Sequence, residues 1–225
     1  MQAVTTGIAM LVFFTTGVAA QPRTDTRVIE AIGWYTGTAG RVDDARARAL
    51  IDAAATSGDV LGRMWVARAW SRGRLGYPRD ETKARAIADQ LIGAVARQAS
   101  LGVVEAVFLV GTAHDEGLGV PEDAAAAFTW FQKAAAAGHT LAEHNIGNAY
   151  AAGRGVAADP AAAVLWWTRA ALKGDAVPQF RLGEAYERGV GVAADRVQAR
   201  RWYADAAGRG HVAATAALER LATPR

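Results

Sequence analysis

Residues 142–174 read AEHNIGNAYAAGRGVAADPAAAVLWWTRAALKG. Ala142, Ile146, Tyr150 and Gly153 fall at i, i+4, i+8 and i+11, one apolar stripe of a helix. Gly147 lies beside that stripe, where a missing side chain admits a close partner. Gly153 and Gly155 end the helix and permit positive φ in the turn that follows. Asp159 then caps a second helix, with Pro160 at its first position, where a missing N–H costs nothing. Trp166, Trp167, Ala170 and Ala171 face inward from that second helix, and Gly174 closes it.

This helix–turn–helix unit recurs. Ile146-Gly147, Tyr150, Gly153, Gly155-Val156, Asp159, Trp166-Trp167 and Gly174 reappear 36 residues on as Leu182-Gly183, Tyr186, Gly189, Gly191-Val192, Asp195, Trp202-Tyr203 and Gly210. The same step upstream gives Val110-Gly111, His114, Gly117, Gly119-Val120, Asp123, Trp130-Phe131 and Gly138. A period of this length marks a solenoid, each hairpin burying its bare face on its neighbours. Two looser copies precede these three. One carries Ala31, Trp34, Gly37, Gly40 and Asp43. The other carries Ala67, Trp70, Gly73, Gly76-Tyr77 and Asp80, with an extra residue in its turn and a second helix extended from about Asp80 to Ser100. That extension is a candidate docking feature. Asp43, Asp80, Asp123 and Asp195 are expected to cap as Asp159 does. The organisation is therefore an all-α solenoid of about five repeats at 27–58, 63–102, 106–138, 142–174 and 178–210. A capping helix fills 211–225, where Glu219 and Arg220 supply a charged outer face.

These residues resemble the Sel1-like repeat, a relative of the tetratricopeptide repeat. The likeness rests on the Leu-Gly pair, the Tyr three residues later, the Gly-x-Gly-Val turn, the capping Asp, the Trp-aromatic pair and the closing Gly. The resemblance implies a right-handed α/α superhelix that serves as an adaptor or scaffold for other proteins. Secreted and periplasmic members include regulators of membrane sensor kinases and proteins that engage host molecules. One branch described as binding penicillin carries a disulfide in each repeat. This chain has no cysteine, so that activity does not carry over by its motif.

Composition narrows the rest. Hydrophobic residues make up 52% of the chain, enough for a core, and the formal net charge is only +3. Arginines are interspersed with acids, so no polybasic block points to nucleic acid or membrane. Absence of cysteine removes a thiolate nucleophile and Cys-based zinc sites. Residues 8–14 form a short apolar core, residues 15–20 end Val-Ala-Ala, and a polar stretch follows from Gln21. This is the layout of a secretory signal peptide cleaved after Ala20, followed by a linker at 21–26, although no Lys or Arg precedes the apolar core. The expected compartment is the bacterial periplasm or the exterior, with no membrane insertion once the signal is removed. Retention as an anchor is the alternative, against which the apolar run is short for a span.

No catalytic set is legible. His139 and His144 stand five apart, the wrong spacing for a zinc-binding helix. His114 takes the phase of Tyr150 and reads as a packing residue. The glycine turns lack the Lys-Ser/Thr ending of a phosphate loop. No metal or cofactor is expected.

The face of each first helix opposite the core stripe is the candidate site. Counting at 100° per residue gives three columns across the repeats. Val28, Met64, Phe108, His144 and Phe180 form one. Ile32, Arg68, Thr112, Asn148 and Glu184 form the next. Thr36, Arg72, Glu116, Ala152 and Arg188 form the third. First helices line the concave face of this architecture, so these positions read as a groove floor for a peptide or protein segment. Met64, Phe108 and Phe180 would supply affinity. Arg68, Arg72, Asn148, Glu184 and Arg188 would set register, and Thr112, Glu116 and His144 complete the candidate partner-binding set. The rival reading is that the apolar column packs between adjacent repeats. The expected protein is thus a monomeric, non-enzymatic scaffold. A secreted host-interacting protein and a β-lactam or cell-wall hydrolase are the alternatives.

Overall fold

A computed structural model of the 225-residue chain describes residues 23–222. The signal segment expected at 1–20, the first two residues of the linker expected at 21–26, and residues 223–225 of the expected cap lie outside these residues. Eleven helices and no strand occur among the described residues. They pair as hairpins: α1 (Thr26–Thr36) with α2 (Asp44–Thr56), α3 (Val60–Arg72) with α4 (Glu81–Ser100), α5 (Val104–Glu116) with α6 (Ala124–Ala136), α7 (Thr140–Ala152) with α8 (Pro160–Leu172), and α9 (Ala176–Arg188) with α10 (Arg196–Gly208). The last helix, α11 (Val212–Ala222), covers the open end. The fold is the expected all-α superhelical solenoid.

The local chemistry of the repeat accounts for the boundaries. Asp43, Asp80, Asp123, Asp159 and Asp195 each accept a main-chain N–H in the first turn of α2, α4, α6, α8 and α10, satisfying donors that the helix cannot pair itself. The first helices end on glycines in the left-handed region, as at Gly153 with φ 66°, where a side chain would be strained. The third, fourth and fifth hairpins close against the aromatic at the end of the Trp-aromatic pair. A Cβ on Gly147 would lie 2.4 Å from the Trp167 ring, and one on Gly183 would lie 2.4 Å from Tyr203. Glycine is thus required where helix and indole meet.

The long α4 has 20 residues where the other complete second helices have 13. Leu91, Val95 and Ala99 are buried, and Ile92 lies under the turn at Gly119, where any Cβ would sit 2.9 Å from its Cγ2. The extension therefore seats the third repeat.

One contact spans the whole array. The turn between α1 and α2 rests on the start of α9 and on the turn that follows α10. Val42 N–H donates to Arg209 O at 2.8 Å, and Arg209 Nη1 donates to Gly37 O at 2.9 Å across 172 residues of chain. The superhelix is tight enough for the edge of its first repeat to meet the edge of its last.

Candidate functional site

The apolar column does not line a groove at its first three positions. Val28, Met64 and Phe108 are each 0% exposed. Phe108 stacks on His139 with centroids 4.3 Å apart, Phe180 stacks on His211 at 4.6 Å, and His144 Nδ1 lies 3.0 Å from Asp175 Oδ2. Each partner precedes the first helix of the next repeat; His139 and Asp175 are the N-caps of α7 and α9. This column is therefore packing between repeats, and the expectation that Met64 and Phe108 contact a partner is corrected. Phe180 and His144 stay half-buried.

The second column divides. Thr112 is buried and returns its hydroxyl to Leu109 O. The Arg68 side chain is only 5% exposed, its guanidinium 4.6 Å from the Trp65 ring and 5.1 Å from Phe108. Neither is an open groove residue, which corrects the expectation for both. Asn148 is exposed, and its Oδ1 accepts from Trp167 Nε1 at 3.0 Å. Glu184 holds Arg181 at 2.8 Å and Arg188 at 3.5 Å.

In the third column Glu116 is buried among arginines. Its Oε1 lies 2.8 Å from Arg74 Nη1 and 3.7 Å from Arg68 Nε, and its Oε2 lies 3.9 Å from Arg72 Nε. Burial pushes this carboxyl up, but the charges of Arg68 and Arg74 outweigh it and hold it below the usual glutamate range. Asp115 goes the other way: burial raises its carboxyl, and Arg154 only partly offsets that. Arg72 and Arg188 remain exposed at the rim.

Among the clefts beyond these columns, two share a wall. One, of about 370 Å³, is walled by Asn148, Ala152, Trp167, Arg181, Glu184 and Arg188, with Ala151, Pro160, Ala163, Ala185 and Val190 completing it. The other, of about 220 Å³, is walled by Arg74, Asp115, Asn145, Asn148, Ala152 and Arg154 over Phe128 and Phe131. Ala124, Ala127, Phe131, Asn145, Asn148, Ala149, Ala152 and Arg154 of the second cleft lie one 36-residue step before Pro160, Ala163, Trp167, Arg181, Glu184, Ala185, Arg188 and Val190 of the first. They are one feature of the repeat, made twice where the first turn of one second helix faces the next first helix. Sequence reasoning found Asn148, Glu184 and Arg188 and missed Trp167, Arg181, Asn145 and Arg154. The 36-residue step carries the signal for these; the space between the helices does not show in it.

Among the described residues no group of three or more His, Cys, Asp or Glu side chains could hold a metal. No described helix is long and apolar enough to cross a membrane.

A solenoid of helical hairpins with an open inner trough is the architecture of a protein-binding repeat array. The Sel1 repeat model matches residues 30–59, 104–139, 140–175 and 179–211, more than half of the sequence, and the chain belongs to the Sel1 repeat family. Proteins of this family mediate protein–protein interaction. The second repeat, with its long α4, falls between the matched segments. A Sel1 repeat protein from Oxalobacter formigenes is 31% identical, over 80% of this chain and 49% of that one, with a TM-score of 0.56. A protective antigen of uropathogenic Escherichia coli strains displaying an SLR fold is 22% identical, over 85% and 47%, with a TM-score of 0.57, and shows likeness of fold alone. The chain thus spans about half the length of both structures. No curated protein matches the sequence.

Proposed function

We propose that this chain is a non-enzymatic scaffold or regulator that holds an extended peptide or protein segment in the trough made by its two clefts. The observation that carries this reading is their common wall. Asn148 and Ala152 belong to both clefts, so a bound segment crosses from one to the other without leaving the surface. Apolar floors at Phe128 and Phe131, and at Ala163 and Trp167, can take side chains. With its carbonyl bonded to Trp167, Asn148 still has an amide NH2 to donate to a ligand main-chain carbonyl. We place the protein in the bacterial periplasm, on the signal-like layout of the first twenty residues.

Ala152 is exposed at the shared wall, so a bulky side chain there fills the trough without entering the core. The Ala152→Phe variant is expected to melt with the wild type and to lose at least about tenfold in capture of an envelope-fraction partner. Equal capture by variant and wild type sinks the trough as the binding surface. Cell fractionation separates the location from its alternative: recovery from the medium would favour a secreted host-interacting protein.

A further inference from the structure

The narrower cleft ends on an arrangement that its packing role leaves unexplained. Arg68, Arg72 and Arg74 converge on the single carboxylate of Glu116, which also accepts from the Ser71 hydroxyl. The Arg68 side chain is 5% exposed, yet its Nε and Nη1 have no hydrogen-bond acceptor. A buried charged donor without an acceptor is among the costlier defects a fold can carry. Stacking on Trp65 and Phe108 fixes this guanidinium in place, so it cannot turn elsewhere. The cavity of about 220 Å³ reaches this cluster at Arg74, which shares its wall with Arg154. Arg154 Nη2 meets Asp115 at 3.0 Å and Glu122 at 3.1 Å. On the wall of this cleft the guanidinium groups of Arg74 and Arg154 stand against one carboxylate, Asp115, as Arg181 and Arg188 stand against Glu184 in the wider cleft.

We infer that this end of the trough is a carboxylate subsite, in which Arg74 and Arg154 hold an acidic group of the bound segment. The inference rests on the groove reading above and adds the chemistry of the ligand. Its geometry accounts for the orphaned donor. Glu116 Oε1 is now 2.8 Å from Arg74 and 3.7 Å from Arg68 Nε. When Arg74 turns to an incoming carboxylate, Glu116 is released to close on Arg68, and Arg68 gains the acceptor it lacks. Two charge-assisted contacts form where one is given up. The carboxylate can come from an Asp or Glu side chain or from a chain terminus.

Three hexapeptide libraries test this with the purified protein: N-acetylated and amidated with one fixed Asp, the same with fixed Asn, and the Asn set with a free C-terminal carboxylate. The Asp set is expected to be retained about tenfold over its Asn twin. Preference for the free C-terminal set over the amidated Asn set instead assigns the subsite to a chain terminus. The Arg154→Gln variant is expected to keep the melting temperature, Arg74→Gln to lower it by removing the direct partner of the buried Glu116, and both to lose the preference. The Arg68 Nε–H NMR signal is expected to shift with sodium acetate and not with sodium chloride at equal ionic strength, and to stay still in Arg74→Gln. Retention of all three sets alike, or a preference that survives Arg74→Gln, overturns the subsite and leaves the groove reading standing. Retention of none overturns both.

Discussion

The third and fifth repeats use one scheme and give opposite surfaces. Phe108, Thr112 and Glu116 of α5 share their phase with Phe180, Glu184 and Arg188 of α9. The first three have buried side chains. Of the second three, Phe180 and Glu184 are half-buried and Arg188 is exposed. The difference comes from neighbours of the column. In the earlier repeats Trp65 stacks on Phe108, Tyr35 lies edge-on to Trp65, and Arg68 spreads over both Trp65 and Phe108. Large side chains there fill the tight inner curve of the superhelix. In the fourth repeat the positions of Trp65 and Arg68 are taken by the smaller Asn145 and Asn148, and space remains. In a solenoid a groove is therefore placed by where small residues interrupt the inner packing, and phase alone does not locate it.

The widest test of that contrast is a pair of truncations. Phe108→Ala is expected to cost about 3–5 kcal/mol in urea denaturation, the usual range for a buried phenylalanine, and Phe180→Ala less than half as much. Equal losses would break the comparison. The caps should not share the asymmetry. Asp123→Ala and Asp159→Ala are each expected to cost about 1 kcal/mol, because both accept the same N–H in the same geometry. A large difference between them would show that position in the array, rather than local chemistry, governs capping.

The contact between the array's two ends makes a smaller contribution. Arg209→Ala removes the bond to Gly37 O and is expected to cost about 1 kcal/mol. Hydrogen exchange at the Val42 amide should also quicken; unchanged protection would show that the edge contact does not hold the turn.

The least effect is expected from pH. A hydrogen bond from Arg220 brings the Glu187 carboxyl down to about 2 from its ordinary 4.5, despite some opposing desolvation. Its folded value lies below its unfolded one, so its contribution to stability is complete above about pH 4.5 and is lost as pH falls toward 2. The melting temperature of Arg220→Met should therefore fall less between pH 5 and about pH 3 than that of the wild type. Parallel curves would remove this pair from the stability of the terminal cap.

Much of the fold is legible because its determinants are local. An Asp before a helix, a Gly at positive φ after one, and a Gly facing an aromatic each act within one hairpin, and a 36-residue step repeats them. The site was legible only in part. Asn148, Glu184 and Arg188 follow from helical phase. Trp167 does not, because it reaches the cleft from the second helix, and Arg181 does not, because its phase on α9 falls outside the three columns. Arg68 shows the limit from the other side. Its phase is that of Asn148, but Trp65 and Phe108 are large enough to bury it.

The sequence by itself determined the hairpin, its caps, its period and hence the solenoid, since each depends on residues near one another along the chain. Only the tertiary structure decided how tightly the array coils, that Val42 meets Arg209, and which inner positions stay open. Those outcomes depend on small rotations added from repeat to repeat and on the volume of side chains from different hairpins meeting in one place.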